Sequence, residues 1–210
     1  MSLALYLTYS YAAWFSLLVA LVIILIISKD ISIKMLALFL FTAFLLFLSQ
    51  IQNDKFADLI NFHGRSSLAS RMMIWRSALD IGRDHWFFGI GAGNFQEMYL
   101  GYQKFYLPYL EWAVPHPHSF YLTFWLYGGV FGAAGFVATL FFFFKDITAK
   151  ISADRENRSY YLASFGIMFY VLIHGIVDTT YFKNDLAVVF WLSFLAVWSK
   201  KDGYSSQRQK

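Results

Sequence analysis

The chain has 210 residues, of which 59% are hydrophobic, 21% aromatic and only 14% charged. A soluble domain carries about 25% charged residues, so these values exclude an ordinary water-soluble fold and indicate that lipid is the solvent. The absence of cysteine excludes a disulfide framework, a thiolate metal site and a cysteine nucleophile. The net charge of +4 arises from short basic tracts beside apolar runs, so we predict no nucleic-acid site.

Apolar runs predict an all-α fold, a polytopic transmembrane helical bundle of about five spans. The runs are residues 3–28, 31–49, 120–144, 160–177 and 186–198. The last run falls short of the roughly 20 apolar residues that cross a bilayer. We expect residues 1–199 to form one membrane domain, with interfacial helices in a long outer loop over residues 50–118. Residues 200–210 are expected to form a disordered cytoplasmic tail.

Lysine and arginine set the expected orientation, because basic residues concentrate on the cytoplasmic side of membrane proteins. They follow the first run, fill the connection between the third and fourth runs and end the chain: Lys29, Lys34, Lys145, Lys150, Arg155, Arg158, Lys200, Lys201, Arg208 and Lys210. These tracts therefore belong inside and the long loop outside. The amino terminus then also lies outside, and we expect the chain to be the C-terminal part of a longer protein.

Within the long loop, the sequence predicts an interfacial helix over residues 68–82, with Gly82 suited to end it. Its large apolar residues share one stripe at 100° per residue: Leu68, Met72, Trp75 and Leu79. Arg71 flanks the stripe on one side, and Arg76 and Arg83 flank it on the other. Such arginines either snorkel to lipid phosphates or bind an anion such as a lipid diphosphate bidentately.

Two groups of glycines follow the predicted interfacial helix. Glycines at positions 89, 91 and 93 permit tight turns and close backbone approach. They lack the spacing of a dinucleotide fingerprint and the Lys-Ser/Thr of a P-loop, so we predict no nucleotide site. In the third run, Gly128 and Gly132 have the GxxxG spacing that lets another helix pack closely.

Two histidines precede the third run, in the segment Pro115-His-Pro-His-Ser119. At the membrane–water boundary a histidine can titrate near neutral pH and act as a general base. The alternative is a rigid start of the helix whose histidines, His116 and His118, bond locally along an extended segment. We predict no metal site, because no nearby carboxylate pair completes a coordination set. His174 and Asp178, one turn apart, are either a local pair or support this outer site.

The chain resembles the bacterial O-antigen ligases and the related O-antigen and exopolysaccharide polymerases, over roughly residues 7–178. The most specific likeness is a His, then Asn, Ser or Gln, then nine residues, then Gly-x-x-Gly; this chain meets it with His118, Ser119, Gly129 and Gly132. An Arg-x-x-x-Trp ahead of a Gly-x-Gly-x-Phe-like turn is matched by Arg71, Trp75, Gly91, Gly93 and Phe95. The chain departs from many members near the start of the first run, where it has Tyr11 in place of an arginine.

The resemblance implies transfer of a glycan from undecaprenyl diphosphate to an acceptor hydroxyl, outside the bacterial inner membrane. The acceptor is a lipid A core sugar for a ligase and another repeat unit for a polymerase. We expect Arg71, with Arg76 in reserve, to stabilise the diphosphate, and His118, with His116 as substitute, to take the proton. Other residues are expected to support the site: Ser119, Trp75, Gly91, Gly93, Gly129, Gly132 and Asp178.

We expect this transfer to be inverting and to need neither metal nor cofactor, since the outer side has no Asp-x-Asp motif. The competing hypothesis is a non-catalytic membrane protein, such as a transporter piece, a lipid-binding scaffold or an inactive fragment.

Overall fold

A computed structural model describes residues 10–28, 32–49, 67–107, 114–182 and 184–198 of the chain. Within these segments the regular structure is entirely helical, which confirms the predicted all-α class for this part. The helices are α1 (Tyr11–Ser28), α2 (Ile33–Leu48), α3 (Ser67–Asp84), α4 (Phe95–Tyr102), α5 (Phe120–Ala153), α6 (Arg158–His174) and α7 (Asn184–Trp198). Short 3-10 turns lie at Gln103–Phe105 and Thr180–Phe182.

Two of the described helices, α1 and α5, are long and apolar enough to cross a membrane, and α2 holds a shorter apolar stretch, Leu36–Leu45. The helices α2, α6 and α7 coincide with apolar runs of the sequence to within three residues. Of the other two, α1 ends where the first run ends, and α5 begins where the third run begins. How many of them cross the bilayer stays a prediction. Residues 50–66 and 108–113 of the predicted outer loop lie outside the described residues, as do residues 199–210 at the end of the chain.

The helix α5 is broken at Gly129, whose backbone angles are φ 59° and ψ −150°. In a straight helix, residues 120 and 136 would be about 24 Å apart. The rings of Phe120 and Phe136 instead lie 4.9 Å apart, and Phe124 stacks on Phe136 at 4.4 Å. A first arm, residues 120–128, therefore folds back on a second arm, residues 130–153. The sequence predicts a span over residues 120–144 but does not reveal this break.

A glycine turn, residues 86–91, satisfies the backbone groups that this break releases from the helical ladder. The hydrogen bonds run from Ile90 N–H to Leu126 O (2.6 Å), from Gly91 N–H to Tyr127 O (3.2 Å), and from Val130 N–H to Trp86 O (3.0 Å) and Phe87 O (3.2 Å). The turn thus pairs with both sides of the break. This backbone pairing lets an apolar helix reverse direction without leaving buried polar groups unpaired.

Glycine is required where the turn meets the break. A Cβ atom added at Gly129 would lie 2.0 Å from Phe87 O, and one added at Gly89 would lie 2.5 Å from Leu126 O. A Cβ atom at Gly132 would lie 2.6 Å from the carbonyl oxygen of Phe124 on the first arm, whereas Gly128 faces open space. The prediction that the GxxxG pattern packs against another helix was therefore wrong, because these glycines admit the reversed arm of the same helix.

The main core lies between α5, α6 and α7 and consists largely of aromatic side chains. Its buried phenylalanines are Phe120, Phe136, Phe143, Phe165, Phe190 and Phe194. The helix α1 packs closely on α6 at Gly166, where an added Cβ atom would lie 2.1 Å from Ile24 Cδ1. Small residues at this contact therefore let the two helices approach.

Two contacts bring three basic regions of the chain to one end of the bundle. The Arg158 guanidinium donates to the carbonyl oxygen of Ile27 in the last turn of α1 at 3.0 Å. The Lys150 ammonium donates to the carbonyl oxygen of Val197 near the end of α7. The end of α1, the α5–α6 connection and the end of α7 are therefore neighbours, as a common cytoplasmic side requires.

The helix α3 packs with a face of small and branched residues, in place of the predicted stripe of large apolar ones. Its buried residues are Ser70, Met73, Ile74, Ser77, Ala78, Ile81 and Gly82. Met72 and Leu79 are exposed. Gly82 does not end the helix: it lies inside α3, and an added Cβ atom would lie 2.6 Å from the Trp125 ring. Small side chains let α3 approach the first arm closely, and this close packing decides which face is buried.

Candidate functional site

His118 lies two residues before the first residue of α5, in a left-handed backbone conformation with φ 47°. It is the one non-glycine residue with positive φ in the described ranges. This conformation costs free energy for a residue with a Cβ atom, and such residues concentrate at functional sites. The prediction of a simple extended segment was wrong at His118, while Ser119 is extended, at φ −152° and ψ 122°.

Ser119 and Phe120 fix the start of the first arm. The Phe120 N–H, one of the donors that a helix start leaves unpaired, donates to the carbonyl oxygen of Gly175 at 2.7 Å. Ser119 is buried, its side chain makes no capping bond, and its carbonyl oxygen accepts the Thr123 hydroxyl at 2.7 Å. The connection after α6 therefore holds the helix start, and with it His118, in place.

Asp178 faces His118 from the turn that follows α6. The distance from His118 Nδ1 to Asp178 Oδ1 is 3.8 Å, with 38% of the His118 side chain and 14% of the Asp178 side chain exposed. The Asp178 N–H donates to the carbonyl oxygen of His174 at 3.1 Å, and Asp178 Oδ1 accepts the Thr179 N–H at 2.8 Å. A mostly buried carboxylate thus stands beside one ring nitrogen, while the histidine keeps an accessible side.

Trp75 links α3 to this histidine, since its indole N–H donates to the carbonyl oxygen of His118 at 3.3 Å. Arg71 lies one helical turn before Trp75 and therefore on the same face of α3. The Arg71 side chain is half-buried, and no hydrogen bond or ion pair joins it to another side chain in the described part of the chain. The geometry therefore brings the helix that bears Arg71 to His118.

Arg76 and Arg83 lie on a different side of α3 from Arg71. A separation of five residues turns Arg76 about 140° around the helix from Arg71. Arg83 pairs with Asp80 at 3.2 Å on the surface. Arg76 is exposed. The hydrogen bond to Asp80 raises the pKa of Tyr106, and the charge of Arg76 lowers it by a smaller amount. The structure therefore does not bring Arg76 together with His118 through α3.

His116 makes a hydrogen bond to a nearby side chain, as expected if the two histidines bond locally instead of acting as bases. Its Nδ1 lies 3.1 Å from the Tyr127 hydroxyl, and its ring centroid lies 6.4 Å from that of Phe182. His174 lies four residues before Asp178 in the chain. Its ring stacks on that of Tyr170, with the ring centroids 5.8 Å apart. His118 lies 3.8 Å from the carboxylate of Asp178, as described above.

The predicted glycines position the backbone. Gly91 and Gly93 have φ of 79° and 88°, and the Asn94 side chain closes the turn by donating to the carbonyl oxygen of Ile90 at 2.7 Å. Gly129 forms the break, and Gly132 makes room for the first arm. Sequence reasoning missed the pairing between glycine turn and break, although two glycine clusters in an otherwise apolar region were a signal for it.

A second connection that the sequence did not reveal ties α4 to α3. The Tyr102 hydroxyl donates to Asp84 Oδ2 at 2.6 Å, and the Tyr106 hydroxyl donates to Asp80. These hydrogen bonds to carboxylates raise the pKa of both tyrosines. Asp80 and Asp84 therefore fasten the short helix to α3.

No three His, Asp or Glu side chains in the described ranges are grouped so that they could hold a metal ion. Independence from metal and cofactor stays a prediction about the reaction.

Comparison with known proteins identifies the family. A family model described as O-antigen ligase matches residues 1–137, more than half of the chain, and the match includes α3, the glycine turn, His118 and the break at Gly129. No curated protein and no solved structure matches the chain. Asp178 lies beyond the matched residues, so its contact with His118 comes from the structure. The chain belongs to the O-antigen ligase family of inner-membrane proteins.

Proposed function

We propose that this chain transfers a glycan from undecaprenyl diphosphate to an acceptor hydroxyl at the outer face of the bacterial inner membrane. The acceptor is a lipid A core sugar or another glycan repeat unit. The observation that carries the proposal is the contact of His118 with Asp178, at 3.8 Å, beside the helix that bears Arg71. Family membership supports the same class of reaction.

His118 acts as the general base in this proposal. Asp178 faces Nδ1, so Nε2 is the ring nitrogen left to accept the proton of the acceptor hydroxyl. The acceptor oxygen attacks the anomeric carbon as its proton moves to Nε2. The carboxylate of Asp178 stabilises the imidazolium that forms, because opposite charges attract strongly in a partly buried site.

Arg71 acts on the leaving group. The bond between the anomeric carbon and the diphosphate oxygen breaks, and the electron pair leaves with the diphosphate. A guanidinium binds phosphate oxygens bidentately and stays charged, so it stabilises this developing charge without a metal ion. A single displacement from the opposite face inverts the anomeric configuration. The half-buried position of Arg71, one turn from Trp75, supports this role.

The length of α6 supports a site on the outer side of the membrane. The helix α6 has 17 residues and so extends about 25 Å, close to the thickness of a hydrocarbon core. Arg158 starts α6 at the basic end of the bundle, whereas Asp178 and His118 lie just past its other end. If the basic end is cytoplasmic, as the positive-inside rule predicts, the site faces outward.

The test is transfer of labelled glycan from undecaprenyl diphosphate to acceptor, in membranes that hold the unmutated chain or a single variant. We expect His118→Ala and Arg71→Ala to lose transfer, and EDTA to have no effect. His85→Ala and Arg83→Ala are matched controls on exposed residues of the same region, and we expect them to keep it. Full activity of His118→Ala would overturn the assignment of the base, and an inactive unmutated chain would favour the non-catalytic alternative.

A further inference from the structure

An aromatic patch lies at the outer end of α5 and consists of Trp86, Phe87, Phe88 and Phe131. All four side chains are exposed, Phe88 to 77%. The ring of Phe87 is the centre of the patch, 5.2 Å from Trp86, 4.7 Å from Phe88 and 5.1 Å from Phe131. A cluster of large exposed rings marks a surface that another apolar phase covers.

The patch continues an exposed face of the second arm of α5. Phe131 is followed on the same helical face by Gly135, Ala138 and Phe142, at intervals of four, seven and eleven residues. All of these are exposed. The helix is one of the two described helices that are long and apolar enough to cross a membrane, so lipid is the natural neighbour of this face. The patch therefore lies at the outer end of a lipid-facing stripe.

A second row of exposed side chains reaches the patch along α3. Met72 and Leu79, seven residues apart, are exposed on one face of α3, which ends at Asp84, two residues before Trp86. The exposed Arg76 lies four residues beyond Met72, on the same side of the helix. Apolar side chains interspersed with arginines are typical of helices that lie in the headgroup region, where the guanidinium meets lipid phosphates.

We propose that the aromatic patch is a lipid-binding surface that lies in the headgroup region of the outer leaflet. Tryptophan favours this depth because its apolar ring and polar indole N–H suit both phases, and phenylalanine rings anchor interfacial segments by their apolar area. The carbonyl oxygens of Trp86 and Phe87 accept the N–H of Val130 at the break. Lipid that binds the patch therefore also fixes the depth of the break at Gly129 in the membrane. Because the first arm joins the break to His118, it fixes the depth of His118 as well. Lipid binding at this surface does not require the glycan transfer proposed above.

The test uses the absence of cysteine, which allows a nitroxide spin label at a single introduced position. Phe88→Cys is labelled in vesicles of phosphatidylethanolamine and phosphatidylglycerol, and its collisions with oxygen, which enters lipid, and with NiEDDA, which stays in water, are measured. Phe142→Cys is the lipid-facing reference. Phe105→Cys is the matched aqueous reference, since the exposed Phe105 lies beside Lys104 and lines a polar cavity with Asp80 and Asp84.

We expect the ratio of oxygen to NiEDDA collisions at position 88 to be several-fold above that at position 105 and near that at position 142. Trp86→Cys provides a second label in the patch, with the same expected ratio. A ratio at both patch positions equal to that at position 105 would overturn the proposal. Shielding of both positions from both reagents would also overturn it, because protein would then cover the patch. Neither readout depends on transferase activity.

Discussion

The indole N–H of Trp75 donates to the carbonyl oxygen of His118 at 3.3 Å, across 43 residues of sequence. His118 has φ 47°, a conformation that needs surrounding contacts to hold it. This hydrogen bond therefore has two effects: it stabilises the backbone of the proposed base, and it fixes the base relative to the helix that bears Arg71.

We expect Trp75→Phe to lower kcat of glycan transfer about fivefold to tenfold, because one neutral hydrogen bond contributes about 1 kcal/mol. KM should change little, since an aromatic ring remains at position 75 and Arg71 is unchanged. The measurement is steady-state transfer in membranes. Trp198→Phe is the matched control: its indole N–H reaches Asp146 at 3.4 Å, at the opposite end of the bundle, and its removal should leave kcat unchanged. Equal effects of the two substitutions would contradict a positioning role for Trp75.

We expect Asp178→Asn to reduce transfer about 10²-fold, the lower end of what general base catalysis contributes. The amide no longer stabilises a positive charge on His118, 3.8 Å away. The measurement is a double-mutant cycle with His118→Ala. If Asp178 acts through His118, its substitution costs nothing further in the His118→Ala background. Additive losses would show that Asp178 acts elsewhere.

We expect Gly129→Ala to cost about 3 kcal/mol of folding free energy or more, because an added Cβ would meet Phe87 O at 2.0 Å in a backbone conformation reserved for glycine. The measurement is thermal unfolding in detergent. Gly135→Ala is the control, since nothing lies within 4 Å of its added Cβ and its backbone is helical. It should change stability by no more than about 1 kcal/mol. Similar behaviour of the two variants would contradict a tight break at Gly129.

The tyrosines that fasten α4 to α3 predict a loss of stability at alkaline pH. Hydrogen bonds to Asp84 and Asp80 raise the folded-state pKa of Tyr102 and Tyr106 above the usual 10.0. A raised tyrosine pKa favours the protonated hydroxyl in the folded chain, so this stabilisation is complete below about pH 10 and is lost as the pH rises through the folded-state values. The measurement is the unfolding temperature between pH 8 and pH 11, in the chain and in the double variant Tyr102→Phe, Tyr106→Phe. The unfolding temperature of the double variant should fall less over this pH range than that of the unmutated chain. Equal falls in the two proteins would contradict the prediction.

The sequence by itself determined where the apolar helices are. An apolar run of sufficient length must form a helix in lipid, because its backbone groups have no water to bond and must pair internally. The run over residues 160–177 accordingly became α6 (Arg158–His174), and the run over residues 186–198 became α7 (Asn184–Trp198). The motif of a His, a Ser, nine residues and Gly-x-x-Gly also made His118, Ser119, Gly129 and Gly132 candidate site residues. Residue type and spacing are properties of the chain alone.

Only the tertiary structure decided how these helices are arranged. The run that contains Gly129 is apolar on both sides of the break, so its composition is the same for one long helix and for two reversed arms. The buried face of α3 depends on how closely its small residues let it approach the first arm, which helical periodicity does not specify. His118 and Asp178 are 60 positions apart, and their contact exists because the connection after α6 holds the start of α5 through Gly175 and Phe120. A long-range contact of this kind follows from packing, which no local pattern contains.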